Sequence, residues 1–291
     1  MKTFTRSTLT GVGVSVLLSV SCTKNEVDNP GKKKSTQTLC DVAVFTQQYS
    51  GGETRYIFNK AYDLSGTRLS RIDAGLYSGG AIWDTVHLNL TYDVGKIYFI
   101  SAENSSDTGL VVHVDNGGRP TRADVGQIID NGFGPQEFFY ENGRLNLVNI
   151  DDNWMRIWFR YDDKGNNTQI VTDSSDGLPR INHTYQYEQG KKGSQQFYLD
   201  EARGFSFNVL TILHAAGFFP ELNPVNTRIR STVQWGPYQA YDFALQDHHF
   251  DNNGRLLQYS TASPGSNTAV ATYTVNYNCN SGNNELITLA R

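Results

Sequence analysis

The sequence predicts an all-β fold, an antiparallel meander of many hairpins that is curled or barrel-like, with one short packed helix near residues 206–216. Composition indicates this fold, because the chain holds 16 Tyr, 15 Phe and 27 Gly but only 2 Met, and aromatic residues favour strands. The second indication is a repeated phrase in which an aromatic residue, an acidic residue and a glycine follow closely. Such phrases are typical of hairpin turns, since glycine adopts the positive φ that these turns require.

The hairpin phrase recurs at irregular intervals along the chain. Its copies span Tyr62–Leu69, Tyr92–Ile97, Tyr140–Leu145, Tyr161–Asn166 and Phe250–Leu256. Most copies continue after the glycine with a basic or polar residue and then an apolar one. The irregular spacing indicates hairpins of one meander rather than the equal units of a solenoid.

One segment departs from the strand pattern and predicts the helix. Ser206 can cap its first turn, Gly217 can end it, and Pro220 prevents its continuation. The apolar residues of the segment recur at helical spacing: Phe207, Val209, Leu210, Ile212, Leu213 and Ala216. Because few positions are polar, we expect this helix to be buried against the sheet or to lie over one of its mouths.

The start of the chain has the pattern of a bacterial secretory signal. Lys2 and Arg6 precede the uncharged residues 7–21, which end in small residues before Cys22. This junction resembles a lipobox, which implies that Cys22 is lipidated, although Ser19 stands where leucine is usual. An ordinary cleaved signal with an incidental cysteine is the alternative.

The chain therefore divides into three predicted segments: a lipoprotein signal peptide over 1–21, a lipidated flexible tether over 22–37, and a single β-rich domain over 38–291. The tether is polar and charged, which is typical of flexible linkers. Its residues 24–28 resemble the lysine and acidic cluster that marks surface lipoproteins of the Bacteroidota. We expect a lipid-anchored protein of the bacterial outer membrane, attached to the membrane through its N-terminal lipid, with surface exposure as a hypothesis.

The charge of the chain argues against nucleic acid as a partner. Removing residues 1–21 takes Lys2 and Arg6 from the 25 basic residues, which leaves 23 against 29 acidic residues and a net charge of −6. Nucleic-acid binding depends on a basic surface that neutralises phosphates.

Two cysteines lie in the predicted domain, Cys40 near its start and Cys279 near its end. An exported domain lies in a compartment that permits disulfides. A Cys40–Cys279 disulfide would tie the first strand to the last, and two unpaired thiols are the alternative. Two cysteines this far apart do not predict a zinc site.

The segment Trp154–Tyr161 is the strongest candidate for a ligand-binding surface. As a strand, it turns alternate side chains to opposite faces, and the face that begins with Met155 is apolar core. The other face carries the candidate ligand-binding residues Trp154, Arg156, Trp158 and Arg160. Indoles offer flat platforms for sugar rings, and guanidinium groups hydrogen-bond hydroxyls or uronate carboxylates. The alternative is that these side chains only cover a half-solvated sheet face.

Two further aromatic groups have simpler expected roles. His183, Tyr185 and Tyr187 alternate with polar residues, which predicts a strand whose aromatic face is core and whose other face is wet. Trp83 and Trp235 lie close to glycines. They are expected at a barrel rim, with inward packing as the alternative.

The acidic and histidine pairs do not predict an active site or a metal site. Asp151-Asp152 and Asp162-Asp163 flank the Trp154–Tyr161 strand, so they stand roughly 30 Å apart at about 3.3 Å per residue. Paired glycosidase carboxylates need about 5–10 Å. His248 and His249 would point to opposite faces of a strand. The sequence therefore predicts no catalytic residues, no metal and no cofactor, although an acid pair gathered from distant strands remains open.

The hairpin phrases, the leucine-rich helix and the stretch Phe219-Pro220-Glu221-Leu222-Asn223-Pro224 together resemble lipoproteins of unknown function from the Bacteroidota, of the DUF4595 type. The phrase is also similar to the tyrosine–aspartate repeats of large shell-forming proteins. The resemblance covers roughly residues 54–260 and implies a porin-like antiparallel fold. It supplies no catalytic residues. The term porin-like refers to the strand topology and not to membrane insertion, because several strand-like runs are too short to span a membrane.

Three functions remain open from the sequence. The first is a non-catalytic cell-envelope lipoprotein that binds a ligand, with a glycan or a peptide expected. The second is a structural or assembly partner of other proteins at the outer membrane. The third is a glycoside-processing enzyme, which the sequence favours least.

Overall fold

The computed structural model describes residues 40–63, 68–126, 134–175, 180–192, 209–238 and 240–279. The signal peptide, Cys22 and the tether lie outside the described residues. The strands are β1 Cys40–Tyr49, β2 Gly52–Tyr62, β3 Leu69–Ser78, β4 Ala81–Asp93, β5 Lys96–Ser101, β6 Thr108–Val114, β7 Pro120–Val125, β8 Gln136–Glu141, β9 Arg144–Ile150, β10 Met155–Tyr161, β11 Asn167–Ser174, β12 Ile181–Lys192, β13 Asn226–Trp235, β14 Tyr241–Phe250, β15 Leu256–Ala262 and β16 Ala269–Cys279. Between β12 and β13 lie the helix α1, Val209–Ala215, and a 3₁₀ turn, Pro220–Leu222.

The sixteen strands form a closed antiparallel barrel in which every strand pairs with its neighbours in the sequence and β1 pairs with β16. This confirms the all-β hairpin fold. Turns alternate between the two ends of the barrel. The end at which β1 begins and β16 finishes is called the terminal end, and the other is called the opposite end.

The two faces of the barrel wall differ in polarity. One outward row crosses eight consecutive strands through directly paired residues: Asp93, Lys96, His113, Arg122, Glu137, Asn149, Arg156 and Asp173. The adjacent inward row consists mainly of apolar residues: Tyr92, Ile97, Val112, Ala123, Gln136, Ile150, Met155 and Ser174. The apolar face of the wall therefore points into the lumen.

Ion pairs and hydrogen bonds hold the outward charges. The guanidinium of Arg71 and the imidazole of His87 each lie 2.9 Å from the Asp73 carboxylate. On β13 and β14, Arg230 pairs with Asp242, and its hydrogen bond lowers the pKa of the Asp242 carboxyl. These groups lie within strands rather than in turns, so charge is part of the wall itself.

The connection between β12 and β13 enters the lumen. Val209, Ile212 and Leu213 of α1 are fully buried, and the ring of Phe219 lies 5.3 Å from that of Phe138 on β8. Since β8 is far from β12 and β13 in the strand order, the described part of this connection, from Val209 onward, reaches across the lumen. The predicted burial of the helix is confirmed, although residues 206–208 lie outside the described ranges. No helix in the described part is long and apolar enough to cross a membrane.

The end of α1 and its attachment to the wall follow from local chemistry. Gly217 adopts φ 90°, and the Phe218 N–H donates to the Leu213 carbonyl at 3.0 Å, which is the glycine-dependent closure of a helix. Further on, Glu221 accepts a hydrogen bond from the Leu145 N–H of β9 at 3.0 Å. Burial raises the pKa of the Glu221 carboxyl.

The recurring hairpin phrase has a physical role at the terminal end. An arginine at or directly before the start of one strand stacks on a tyrosine near the end of the next strand, at 5.1–5.4 Å from the ring centre. The tyrosine hydroxyl donates at 2.9 Å to the carbonyl of the residue after that arginine. The four arginine–tyrosine clamps are Arg68–Tyr92, Arg119–Tyr140, Arg144–Tyr161 and Arg255–Tyr277.

Each clamp closes a strand pair that is joined by a hairpin at the opposite end. Burial raises the pKa of Tyr92 to about 12, so its hydroxyl stays protonated and donates. The turn acid orients the arginine: the Asp251 carboxylate accepts the Arg255 N–H and also pairs with its guanidinium. The phrase therefore encodes both a turn and a contact to the neighbouring strand.

The backbone register brings the two predicted disulfide partners together. Cys40 and Cys279 are directly paired residues at the ends of β1 and β16. Directly opposed residues of antiparallel strands have Cα atoms about 4.5–5.5 Å apart, which lies within the range of disulfides. The pairing itself stays a prediction.

We predict that removing one clamp hydroxyl destabilises the barrel. Tyr161→Phe deletes the hydrogen bond to the Leu145 carbonyl and keeps the ring, so the free energy of unfolding should fall by about 1 kcal/mol. Urea denaturation followed by tryptophan fluorescence measures this change. Tyr98→Phe is the matched control, because the Tyr98 side chain on β5 makes no hydrogen bond within the described residues. An equal effect of both substitutions would contradict the role of the clamp.

We also predict a Cys40–Cys279 disulfide across the seam of the barrel. Peptide mapping without reductant should recover one cross-linked pair, and reduction should lower the free energy of unfolding by up to about 5 kcal/mol, because the bridge closes a long loop in the unfolded chain. Complete alkylation of both thiols in the unreduced, denatured protein would contradict this prediction.

Candidate functional site

Strand β10 turns three of the four predicted binding residues outward. Met155 and Phe159 are buried in the core, and Ile157 packs against it. Arg156, Trp158 and Arg160 alternate with these residues and therefore lie on the outer face of the wall. The expected division of this strand between a core face and an outer face is confirmed for these positions.

Trp154 differs from the sequence expectation. It lies in the turn before β10, and its indole packs against the core. The cause is the backbone of the turn, in which Asp151, Asp152 and Asn153 adopt φ values of 49°, 49° and 75°. Three successive positive φ values break the strand alternation, so Trp154 does not continue the face that carries Trp158.

Trp158 belongs to an apolar strip on the outer wall. Directly paired residues on four adjacent strands form this tryptophan strip: Phe139, Leu147, Trp158 and Val171. Val171 is only 2% exposed although it faces outward. Its burial indicates that Trp158 and its neighbours cover the sheet here, as the simpler sequence interpretation expected, while the indole remains partly exposed.

A shallow groove of about 210 Å³ opens beside the tryptophan strip. It is lined by Asn146, Trp158, Phe159, Arg160, Val171 and Arg180. The lining joins an indole to two guanidinium groups and one amide, and it contains no carboxyl group. This set can stack on a flat ring and donate hydrogen bonds to oxygen atoms.

Sequence reasoning missed two residues of the groove. Arg180 precedes His183 by three positions, so the alternation of His183, Tyr185 and Tyr187 places it on the wet face of this strand. Asn146 lies between Leu145 and Leu147 of β9, which pair with Tyr140 and Phe139 of β8. It is therefore the unpaired residue at a register irregularity. That irregularity leaves no signal in the sequence pattern.

The acidic pairs lie at opposite ends of the barrel. Asp151 and Asp152 occupy the turn between β9 and β10, and Asp162 lies in the turn between β10 and β11. The Asp162 carboxylate accepts the N–H groups of Lys164 and Asn166. A conformational role in the turn accounts for this acid, so the two pairs do not share a site.

His248 and His183 lie in packed surroundings. His248 stacks on Phe250 and Tyr259 of the inner face, and its Nε2 lies 3.0 Å from the Arg228 carbonyl. Burial, with the nearby Arg228 charge, lowers the pKa of His183 to about 4. Among the residues that the structure describes, no group of three or more His, Cys, Asp or Glu is arranged to hold a metal ion.

The opposite end carries exposed aromatic side chains. Trp83 at the start of β4 is 72% exposed, and Trp235 at the end of β13 is also exposed. Tyr49, Tyr238 and Tyr241 are exposed at the same end. Both tryptophans therefore lie at the rim, as the neighbouring glycines predicted.

Comparisons with known proteins agree with this architecture. No family model and no curated protein matches the chain. A porin-like protein from Bacteroides uniformis is similar in structure, with a TM-score of 0.55 and 12% identity, over 81% of this chain and 97% of that one. A porin-like protein from Bacteroides vulgatus has a TM-score of 0.52 and 11% identity, over 82% of this chain and 99% of that one.

The barrel has a porin-like fold. The fold that the sequence resemblance implied is confirmed, whereas membership of the lipoprotein family stays a prediction. The wall polarity departs from that of a transmembrane barrel, which turns an apolar band outward and a polar face inward.

Proposed function

We propose that this protein is a non-catalytic lipoprotein of the bacterial cell envelope that binds glycans in the groove beside Trp158. The lipid on Cys22 anchors the protein to the outer membrane, and the tether joins the lipid to the terminal end of the barrel. The porin-like proteins of similar fold from Bacteroides support a place in the envelope.

The polarity of the wall supports a barrel body that lies in water rather than in lipid. A lysine or arginine at the midplane of a bilayer costs about 2–4 kcal/mol on the outside of a barrel. Arg230, the fifth of the ten residues of β13, faces outward and would incur this cost in a bilayer. A lipid tether attached at the terminal end avoids this cost, because the barrel itself then stays in water.

The observation that carries the proposal is the outward position of Trp158 in a groove with polar donors on both sides. Sugar rings present an apolar face that stacks on an indole, and their hydroxyls accept hydrogen bonds from guanidinium and amide groups. Arg160 and Asn146 supply such donors in the same lining. The chemistry of the groove suits binding better than hydrolysis, since paired carboxylates are absent from the lining.

A second candidate function is assembly with another protein at the envelope. The exposed aromatic side chains at the opposite end, led by Trp83 and Trp235, favour it, because aromatic residues are enriched in protein interfaces. This end is the one farther from the tether.

We predict that Trp158→Ala weakens glycan binding by about tenfold or more, which corresponds to about 1.4 kcal/mol. The measurement is isothermal titration calorimetry of the full-length lipidated protein in detergent micelles against plant, host and bacterial polysaccharides. Trp158→Phe keeps a ring over Val171 and should retain part of the affinity.

Trp83→Ala is the control, because Trp83 lies at the rim and outside the groove. Glycan affinity that is lost in Trp83→Ala and retained in Trp158→Ala would move the site to the opposite end. The absence of binding to every polysaccharide would contradict the glycan proposal and favour assembly with a protein.

A further inference from the structure

Most arginines on the outer wall have an acidic partner. Arg71 pairs with Asp73, Arg122 with Asp124 and Arg230 with Asp242. Arg55 likewise pairs with Glu53 on β2. The wall therefore neutralises its guanidinium groups locally as a rule.

The arginines around Trp158 depart from this rule. Within the described residues, Arg156, Arg160 and Arg180 form no ion pair. Arg156 stands opposite Asp173 in the register, and Arg160 stands opposite the neutral Gln169. The Gln169 amide is itself engaged with Asn182 at 2.8 Å.

The groove is consequently a cationic site on an acidic protein. The guanidinium groups of Arg160 and Arg180, which have no acidic partner among the described residues, line the groove with Trp158, and the lining holds no carboxylate. The mature chain carries a net charge of −6 by sequence, since 23 basic residues remain against 29 acidic ones. Nonspecific attraction of polyanions is therefore weak, and an anionic ligand needs this local site.

We propose that the groove selects an acidic polysaccharide whose sugars carry carboxylates. The pyranose ring stacks on Trp158, and Arg160 and Arg180 receive the uronate carboxylates on either side. Guanidinium groups match carboxylates in a bidentate geometry that ammonium groups do not reproduce. The inference rests on the proposed glycan-binding function and adds the class of sugar.

A polysaccharide fits the groove better than an acidic peptide does. The groove offers a flat ring and the Asn146 amide for sugar hydroxyls. On β12 and β13, the row of the tryptophan strip continues beyond Val171 with the polar residues Asn182 and Gln234. Comparison with poly-glutamate distinguishes binding of an acidic peptide from binding of a polysaccharide.

The test uses the full-length lipidated protein in detergent micelles and three polyuronates, namely polygalacturonate, alginate and hyaluronate. Each polymer is compared with its carboxyl-reduced, neutral counterpart by calorimetry. At least one polyuronate should bind about tenfold or more tightly than its neutral form. Raising the salt concentration should weaken the binding of the acidic form only.

The variants Arg160→Gln and Arg180→Gln should each lower the affinity for the polyuronate by about tenfold. Their affinity for a neutral polymer should fall less than that, because the glutamine amide still donates hydrogen bonds to sugar hydroxyls. Arg122→Gln is the matched control, because it removes the same charge from an ion-paired position of the same wall. It should leave the polyuronate affinity unchanged.

Equal affinity for acidic and neutral polymers, both lost in Trp158→Ala, would overturn the acidic-sugar inference and leave the glycan function standing. No binding to any polymer would overturn both. Poly-glutamate that binds as tightly as the polyuronates, with the same dependence on Arg160 and Arg180, would overturn the assignment to a sugar.

Discussion

Apolar side chains of residues 209–222, between β12 and β13, pack with the inner face of the barrel wall in one hydrophobic core. A barrel of sixteen strands is wide enough to leave an aqueous channel, and water would meet an apolar inner face here. Phe218 and Phe219 occupy this space against the rings of Phe99 and Phe138. Each buried ring contributes about 1.5–3 kcal/mol relative to an exposed one. Because apolar contacts are made inside, the outer face is left for charge.

This polarity decides where function can reside. With the apolar side chains turned inward, a ligand that approaches through water meets the outer wall, and there the tryptophan strip interrupts the charged surface. The strip lies on β8 to β11, whose strand pairs are held by clamps such as Arg144–Tyr161. Regular antiparallel pairing gives Trp158 and its neighbours a fixed spacing across the sheet, which a loop would not provide.

The sequence predicted the features that depend on local pattern. Alternation correctly separated Met155 and Phe159 from Trp158, and Gly217 correctly marked the end of α1. Features set by tertiary structure escaped prediction. The positive φ values of Asp151, Asp152 and Asn153 moved Trp154 to the core, and the irregular register of β8 with β9 brought Asn146 into the groove. The hairpin phrase was visible in the sequence, but the arginine–tyrosine contact between neighbouring strands became visible only in the barrel.

The proposed function requires the charged outer wall to face water while the protein is anchored in the membrane. To test this, spin labels are attached at Tyr98→Cys and Val111→Cys in the lipidated protein on outer-membrane vesicles. The two residues are paired outward positions of β5 and β6. Collision rates with a water-soluble nickel chelate and with oxygen, which concentrates in lipid, are then compared. A wall that faces water should give the nickel chelate greater access than oxygen at both positions. Greater access for oxygen would contradict it and would make this a membrane-spanning barrel.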